Sequence, residues 1–489
     1  MKMEEVENGS AGVCVSAPGK VLITGGYLVL DPKYAGLVLA STARFYARAS
    51  PKAQAYNGED AADTIRVDIE SPQFNQVVRG VLRRGAGDAY QFLVSDGSDR
   101  NAYIEETLLC AINGIEGVAP ASVARKAQEL RGAQEQLRVL LQADNDFYSQ
   151  VKRFQSSSNS LHRRNIAALQ KCLPPYMEEK PNGERVAMKT GMGSSAALVT
   201  SFVGALVCFF LPDNRFEERD ADLELIHNLA QLSHCFVQRK IGSGFDVSTA
   251  CFGSQRYTRF PASILGAFTT PEALQPAALQ RALLDRSAWD VANRVKRFKL
   301  PLSLCLFMGD VSAGSSTVSM VRQVLSWQKA QSAEAERITS RLNLRNSHVE
   351  AGFTKLLALF ESPQHDTSSF EKARREMAQC TFDQWQRVDP VLGRILSTIR
   401  EEFFAVRTLL REMGDLAGVP VEPAEQTALV DATMAIPGVL IAGVPGAGGF
   451  DAVFVVALDE SVLNRVEELW VQWPQTHPTS MYVHMPPAV

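Results

Sequence analysis

The sequence predicts a two-domain protein that mixes α-helices and β-strands, and three features of the chain support this. Short apolar runs separated by glycine and proline open the chain, which is typical of strands joined by tight turns. A glycine-rich turn near residue 190 leads into an uncharged helical stretch, and long charged helical stretches dominate residues 317–413. With 489 residues, the chain has room for two or three domains with apolar cores.

The first 300 residues are predicted to begin in a sheet and to continue mainly as helices. Strands are expected over 13–16, 21–24 and 27–30, helices over 101–115 and 122–141, and loops with a helix over 144–180. Apolar residues at 225, 229, 232 and 236 place one apolar face on a helix over 222–240. The run Gly242-Ser243-Gly244 should end that helix.

The character of the chain changes near residue 300. An apolar run over 302–308 predicts a buried strand, and charged helices follow it. We therefore expect a boundary between 285 and 300, with domains at 1–295 and 296–489. Residues 439–458 should form a strand, a glycine-rich turn and then a strand or helix, and residues 482–484 should add an edge strand.

Composition excludes several classes of protein. The chain has 50 Lys and Arg against 54 Asp and Glu, so its net charge of -4 does not fit a general nucleic-acid binder. None of the eight cysteines has C-x-x-C spacing, which predicts neither a zinc site nor a disulfide framework. We expect reduced thiols in an intracellular protein. A small-molecule substrate, no nucleic-acid partner and no membrane partner are the matching expectations.

Targeting patterns are weak, and the predicted location is the cytoplasm. Residues 1–10 lack an apolar stretch, and the chain does not end in the peroxisomal S-K-L sequence. A peroxisome-like organelle stays open as an alternative, because other import routes exist. Residues 190–212 carry no charge and are long enough to span a bilayer. Their glycines and hydroxyls favour a buried helix, with a membrane span as the alternative.

The glycine-rich turn at residues 190–197 is the strongest functional pattern. The sequence there is Thr190-Gly191-Met192-Gly193-Ser194-Ser195-Ala196-Ala197, after a predicted strand at 186–189. Such a turn at a helix start offers backbone N–H groups and the positive end of the helix dipole to an anion. We therefore expect phosphate binding, with a plain tight turn and a serine cap as the alternative.

Two other phosphate-binding motifs fit this chain poorly. The spacing Gly191-x-Gly193-x-x-Ala196 matches the dinucleotide fingerprint, but the acid that should follow, Asp213, lies beyond one continuous helix rather than after a second strand. The Walker A motif fails because Val21, and not Ser or Thr, follows Gly19-Lys20. An oxidoreductase of the Rossmann type and a P-loop NTPase are both disfavoured.

Three further elements carry groups suited to phosphate chemistry. Lys20, in Ala17-Pro18-Gly19-Lys20, could place a positive charge on a phosphate, although it could also be an exposed surface lysine. Asp246 follows the turn at 242–244, where a helix cap is the plainer interpretation. The segment 444–452 contains Gly446, Gly448 and Gly449, which would let backbone approach a ligand or simply form a loop.

Together and in this order, these elements resemble the GHMP kinase superfamily. Its three motifs are matched by Ala17-Pro18-Gly19-Lys20, by Gly191-Met192-Gly193-Ser194-Ser195-Ala196-Ala197 and by Gly446-Ala447-Gly448-Gly449-Phe450-Asp451. The finer blocks 189–196, 240–247, 309–317 and 145–149 are similar to the eukaryotic-type phosphomevalonate kinase branch. The resemblance implies an N-terminal α/β domain with a left-handed βαβ unit and a C-terminal ferredoxin-like α+β domain with a helical insertion.

The resemblance also implies a set of site residues. Lys20 and Asp246 are expected to be catalytic, and Ser195 is expected to bind Mg²⁺. Nucleotide contacts are implied for Asn145, Phe147, Lys189, Gly191, Met192, Gly193, Ser194, Ser195 and Ala196. Substrate contacts are implied for Lys20, Ser243, Gly244, Asp246, Ser315, Ser316, Thr317, Gly448 and Gly449.

The implied activity is ATP- and Mg²⁺-dependent phosphorylation of 5-phosphomevalonate to 5-diphosphomevalonate, by a monomer or homodimer, in the mevalonate route to isoprenoids. Asp246 and Lys20 would orient and stabilise charge more than abstract a proton, because a phosphate acceptor is largely ionised near pH 7. A kinase for another small acceptor, such as mevalonate or a sugar, is one alternative. A nucleotide-binding sensor without catalysis is the other.

Overall fold

The computed structural model describes residues 1–4, 12–54, 64–85, 88–155, 163–179, 183–301, 304–311, 317–361, 367–476 and 483–484. The strands are β1 (Lys2–Glu4), β2 (Val13–Thr24), β3 (Ala35–Ala53), β4 (Ile65–Ser71), β5 (Gln76–Arg84), β6 (Tyr90–Val94), β7 (Glu135–Ala143), β8 (Met177–Glu179), β9 (Arg185–Ala187), β10 (Gln255–Thr258), β11 (Val295–Arg297), β12 (Cys305–Val311), β13 (Val439–Gly443), β14 (Ala452–Ala457) and β15 (Val483–His484). The helices are α1 (Ala102–Val118), α2 (Pro120–Gly132), α3 (Val151–Gln155), α4 (Arg163–Ala167), α5 (Ser194–Phe210), α6 (Asp220–Val237), α7 (Phe245–Phe252), α8 (Pro276–Leu284), α9 (Arg286–Trp289), α10 (Val291–Arg294), α11 (Thr317–Ala330), α12 (Ser332–Glu361), α13 (Thr367–Met377), α14 (Trp385–Val388), α15 (Pro390–Ala417), α16 (Ala424–Met434) and α17 (Glu460–Thr476).

A large sheet occupies the N-terminal part of the chain. Its strands run in the order β1-β2-β3-β7-β4-β5-β6, and β10 joins the first half of β3 to β11. Neighbouring strands are antiparallel except for β4 and β7, which are parallel. Helices α1, α6 and α7 and the sheet strands β2 and β3 surround α5. The handedness of the crossover between β4 and β7 stays a prediction.

A second sheet lies in the C-terminal part, with antiparallel strands in the order β13-β14-β12-β15. Alternation of strand and helix around it gives the α+β arrangement expected from the sequence. The long helices α12 and α15 pack on each other beside it. The large sheet ends at Arg297 and the small sheet begins at Cys305, so a division after residue 295 would cut β11. The two domain ranges stay a prediction.

Three local predictions are wrong, and each for a physical reason. The opening strand is continuous from Val13 to Thr24, because β2 keeps its pairing to β3 through two register shifts instead of turning at Pro18 and Gly19. Residues Leu28–Leu30 form a 3₁₀ turn rather than a strand. The second predicted helix ends at Gly132, and Glu135–Ala143 is a central strand between β3 and β4. Burial between two strands overrides its helical spacing.

The uncharged segment is a core helix, as its glycines and hydroxyls predict. All but two of the side chains of α5 are buried, since strands cover one side of the helix and other helices the rest. No single helix in the described part of the chain is long and apolar enough to cross a membrane. All eight cysteines fall in described segments, and none of them forms a disulfide bond there.

The close contact between α1 and α8 predicts a stability difference between two glycines at neighbouring helix ends. A Cβ on Gly117 would lie 2.3 Å from the backbone oxygen of Pro276, whereas a Cβ on Gly132 would meet nothing within 4 Å. We expect Gly117→Ala to lower the free energy of unfolding by about 1–3 kcal/mol. Gly132→Ala should leave it unchanged or raise it by up to about 1 kcal/mol. Urea unfolding followed by circular dichroism measures both, and equal effects would contradict the packing argument.

Candidate active site

Lys20 lies at an irregularity in β2, half-buried between the sheet and the glycine-rich turn. The register of β2 against β3 shifts between Pro18 and Lys20, which points the lysine away from the regular ladder. Gly19 is needed there because a Cβ would lie 2.8 Å from the Met192 carbonyl oxygen. The backbone N–H of Lys20 donates to that same oxygen at 2.8 Å. This bond joins the first motif to the second.

The lysine side chain runs along the glycine-rich turn. Its Nζ donates to the Gly191 carbonyl at 2.8 Å, and it lies 5.6 Å from the centre of the Phe245 ring. Gly191 and Gly193 have positive φ angles of 74° and 79°, which favour glycine. A Cβ on Gly193 would lie 3.1 Å from Cγ of Lys20. A side chain at position 193 would therefore crowd the lysine side chain.

The start of α5 faces the same space. Gly193 is the residue before the helix, so the first N–H groups of α5 are directed towards the turn, where an anion would bind. Ser194 is buried and Ser195 half-buried. Met192 and Ala196 are buried, so these two residues offer backbone atoms rather than side chains.

Asp246 is the second residue of α7 and follows a rigid turn. Gly244 precedes the helix with φ 78°, and its carbonyl accepts a bond of 2.7 Å from Nε2 of Gln231. The Ser243 carbonyl accepts from the Tyr257 hydroxyl at 2.8 Å. Ser243 and Gly244 are both predicted to contact substrate. Because their carbonyls accept bonds from the protein, their backbone N–H groups and the Ser243 hydroxyl are the groups that could contact a substrate.

Arg259 locks this turn to the start of the chain. Its Nε donates to the Gly242 carbonyl at 3.0 Å, and its Nη2 donates to the Ile241 carbonyl at 3.0 Å. Its Nη1 donates to the Leu30 carbonyl at 2.6 Å. The sequence analysis missed Arg259, since nothing in its local pattern indicates a contact with a segment 229 residues earlier.

The third glycine-rich segment comes from the small sheet and reaches the large one. The Tyr27 hydroxyl donates to the Ala447 carbonyl at 2.7 Å, and a Cβ on Gly26 would lie 2.8 Å from the Gly446 carbonyl oxygen. Gly448 has φ 77°, and its Cβ would lie within 1.9 Å of the Val421 carbonyl oxygen. Gly448 and Gly449 therefore hold the loop in place as much as they offer backbone to a ligand.

Two carboxylates act on the Lys20 ammonium group. Burial lowers the pKa of Lys20 below its usual value. The negative charges of Asp246 and Asp451 act in the opposite direction and partly offset this effect. Asp451 ends the third motif, and a Cβ on Gly191 would lie 3.9 Å from its Cβ. The sequence analysis matched Asp451 to a motif and assigned it no role. All three motifs thus meet at one lysine.

His234 on α6 is a second residue that the sequence analysis missed. Its Nε2 lies 3.3 Å from the Ser195 hydroxyl oxygen and 2.6 Å from Nε2 of Gln238, which donates to it. Burial lowers the pKa of His234, so the ring is neutral at pH 7 and can accept.

A cavity of about 390 Å³ opens beside the start of α5. Its walls are largely apolar. The lining includes Phe45, Phe74, Tyr103, Tyr148, Val186, Ala187, Lys189, Ser194 and Ser195. Of the predicted nucleotide contacts, Lys189, Ser194 and Ser195 therefore line one cavity.

Two other predicted nucleotide residues have supporting positions. Phe147 is 1% exposed and packs against Phe45 beneath Gly19, so its ring cannot contact a ligand in the cavity. The Asn145 amide donates to the Gln170 carbonyl and accepts from the Leu173 N–H, both at 2.8 Å. Within the block 145–149, Tyr148 lines the cavity wall, and a nucleotide contact of this block stays a prediction.

The predicted block at 309–317 is only partly described. Ser315 and Ser316 lie outside the described residues, and Thr317 starts α11 with a side chain that is not described. In the described ranges, no group of three or more His, Cys, Asp or Glu residues could hold a metal ion.

Comparisons with known proteins show which proteins this chain is similar to. Residues 170–254 match the family model described as GHMP kinases N terminal domain. The chain is 35% identical over 480 residues to the peroxisomal phosphomevalonate kinase of Arabidopsis thaliana, covering 94% of this chain and 92% of the relative. It is 33% identical over 469 residues to phosphomevalonate kinase of Gibberella zeae, covering 94% and 91%.

A solved structure shares the fold. Phosphomevalonate kinase of Streptococcus pneumoniae, in complex with phosphomevalonate and AMPPNP, superposes with a TM-score of 0.51 at 14% identity. The superposition covers 97% of this chain and 99% of that one. At this identity the likeness concerns the course of the chain alone.

The support beneath the Asp246 turn predicts a pH-dependent stability. His227 is buried between Phe252 and Trp289, its Nδ1 donates to Asn228 Oδ1, and its Nε2 accepts from Gln231. Burial lowers the pKa of His227 to about 4 from 6.5. The unfolded chain therefore takes up a proton between these values that the folded chain excludes. Stability should be full above pH 6.5 and fall by up to roughly 3 kcal/mol as pH drops to about 4.

Urea unfolding between pH 7.5 and 4.5 measures this dependence. His227→Gln should flatten the slope, and the half-exposed His348, replaced by glutamine, is the matched control and should leave it unchanged. An unaltered slope in the His227 variant would contradict the assignment.

Proposed function

The chain belongs to the phosphomevalonate kinase family of GHMP kinases, and from this premise we propose that it transfers the γ-phosphoryl group of ATP to 5-phosphomevalonate in the cleft around Lys20 and Asp246. The product is 5-diphosphomevalonate, an intermediate of the mevalonate pathway of isoprenoid biosynthesis. One observation carries the residue assignment: the lysine donates to the Gly191 carbonyl at 2.8 Å while the carboxylates of Asp246 and Asp451 act on its charge.

ATP is proposed to bind across the start of α5. Its phosphates suit the N–H groups at the helix start, because backbone donors and the helix dipole both favour negative charge there. The apolar cavity next to it, with Phe74 and Tyr148 in its walls, suits the flat face of a nucleoside base. Lys189 also lines that cavity and would contact phosphate or ribose oxygens.

Lys20 and Asp246 are proposed to act at the reacting centre. An oxygen of the acceptor phosphate attacks the γ-phosphorus, the bond from that phosphorus to the β-phosphate oxygen breaks, and ADP leaves. The acceptor dianion gives up no proton, because its second pKa is near 6. Lys20 would stabilise the charge of the transferred group, and Asp246 would orient the acceptor and the lysine.

Ser195 is proposed as the protein ligand of Mg²⁺. Ser195 lines the cavity at the start of α5, and Mg²⁺ takes few protein oxygens when phosphates supply others. When bound, the ion neutralises charge on the β- and γ-phosphates. His234, at 3.3 Å from the hydroxyl oxygen, would restrict the rotamer of Ser195.

The acceptor is proposed to lie between the 242–244 turn and the third glycine loop. The Ser243 hydroxyl and the Gly244 N–H are the proposed donors there, whereas the Gly448 N–H already donates to the Pro445 carbonyl at 3.2 Å. Ser315, Ser316 and Thr317 complete the predicted set. Identity of 35% to a phosphomevalonate kinase over 94% of the chain supports this acceptor over mevalonate or a sugar. Oligomeric state and a cytoplasmic location stay predictions.

A panel of acceptors tests the proposed function. With Mg²⁺ and ATP, we expect ADP release with 5-phosphomevalonate and a diphosphate ester identified by mass. Mevalonate, diphosphomevalonate, galactose and homoserine should give at most background. Turnover of another acceptor would overturn the substrate assignment, and nucleotide binding without any turnover would favour the sensor alternative.

The role of Asp246 predicts a selective loss of rate. Asp246→Ala, and Asp246→Asn with nearly the same shape, should lower kcat by about 10²- to 10³-fold because the acceptor and lysine lose an orienting charge. The KM for ATP should change by no more than about threefold, since Asp246 lies on the acceptor side. Asp220, whose side chain is 81% exposed on α6, is the matched control as Asp220→Asn. An unchanged kcat in both Asp246 variants would exclude the role.

A further inference from the structure

Asp451 reaches the site from the opposite half of the chain to Lys20. The lysine belongs to the large sheet, whereas Asp451 directly precedes β14 in the small sheet. The Asp451 backbone carbonyl accepts from the Val311 N–H at 3.0 Å, which ties the residue to β12. Its Cβ lies 3.9 Å from where a Gly191 Cβ would stand. The side chain therefore lies over the same glycine whose carbonyl accepts from the lysine.

The loop that carries Asp451 is held firmly. The Gly449 N–H donates to the Val421 carbonyl at 2.9 Å, and Nε2 of the buried Gln426 donates to the Gly449 carbonyl at 3.1 Å. Next to Val421, the fully buried Glu422 accepts two bonds from Arg407, at 2.7 and 3.0 Å. Charge-assisted bonds of this kind restrict both side chains strongly. The position of Asp451 is therefore set by its bond to β12 and by the contacts of its loop with Val421 and Gln426.

The charged groups near Lys20 come from different segments of the chain. Asp246 from α7 and Asp451 from the third loop act on Lys20 directly. Lys189 and Lys240 lie one step further away, where they and Asp246 act on His234. Burial disfavours the lysine cation, and the two carboxylates oppose that effect. Among the described residues, Asp246 would be the carboxylate left to stabilise the lysine cation if Asp451 were replaced.

We propose that Asp451 is a positioning residue for phosphoryl transfer: its carboxylate keeps Lys20 as an ammonium ion at the reacting centre, and it does so only when the small sheet is docked on the large one. The proposal rests on the proposed function of Lys20. It gives the third glycine-rich motif a purpose besides backbone approach, because the motif delivers a charge from one half of the chain to the lysine of the other.

The pH dependence of Asp451→Asn tests the proposal. Both substrate phosphates are fully ionised above pH 8, so a fall in kcat/KM for ATP at higher pH reports a group of the enzyme. This decline is the basic limb of the pH profile. We expect Asp451→Asn to shift the basic limb to a pH lower by about one unit. The loss of activity should thus be about tenfold larger above the shifted limb than at pH 7. An equal loss at every pH would show that Asp451 acts through the shape of the loop alone and would overturn the proposal.

Three further variants make the result specific. Asp451→Glu should restore most of the limb, since it keeps the charge. Asp383→Asn, at an exposed residue of a surface turn, removes one charge elsewhere and should leave the limb in place. In a Lys20→Arg background the same Asp451→Asn change should produce no shift, because a guanidinium does not titrate in this range.

A direct measurement separates this proposal from the proposed function. Acetylation of Lys20 by acetic anhydride in the ligand-free protein, followed by mass spectrometry from pH 6 to 11, reports the fraction of neutral amine without any turnover. Half-maximal reactivity should occur about one pH unit lower in Asp451→Asn. No shift would overturn the proposal even if the wild-type protein phosphorylates 5-phosphomevalonate, and a shift would support it even if another acceptor is preferred.

Discussion

The bond from the Lys20 ammonium group to the Gly191 carbonyl, at 2.8 Å, is the contact on which the rest of the site depends. A half-buried ammonium group is costly unless neighbouring oxygens compensate for lost water. The glycine-rich turn supplies one such oxygen, and carboxylates from two other segments supply charge. The surrounding groups therefore stabilise the Lys20 cation in a partly buried position that would otherwise disfavour it. A transferred phosphoryl group would need a positive charge at this position.

Each surrounding element meets that requirement in a different way. An irregularity in β2 turns the lysine towards the cleft, and positive φ angles at Gly191 and Gly193 let the turn follow its side chain. Arg259 and Gln231 hold the turn before Asp246 through backbone carbonyls. The buried pair of Arg407 and Glu422 lies beside Val421, whose carbonyl accepts from the Gly449 N–H of the third loop. Rigidity is thus built mainly from bonds to backbone, which side-chain motifs do not reveal.

Much of the site could be predicted from the sequence because short motifs encode local backbone geometry. Gly191, Gly193 and Gly244 adopt left-handed conformations that other residues rarely take, and Asp246 lies two residues after Gly244. Phe147 and Asn145 show the limit of this approach. Both belong to a motif near the cavity, yet one ring is in the core and one amide is bonded to backbone. A motif places a segment, whereas the direction of each side chain depends on what packs behind it.

The sequence by itself determined the mixed architecture, the uncharged core helix at α5 and the three glycine-rich segments, because composition, periodicity and glycine conformation are local properties. Only the tertiary structure decided that β7 is a strand, since pairing with β3 and β4 outweighs its helical spacing. It also decided that Asp451, 431 positions beyond Lys20 in the chain, acts on that lysine. Long-range neighbours arise from sheet pairing and packing, which no short stretch of sequence contains.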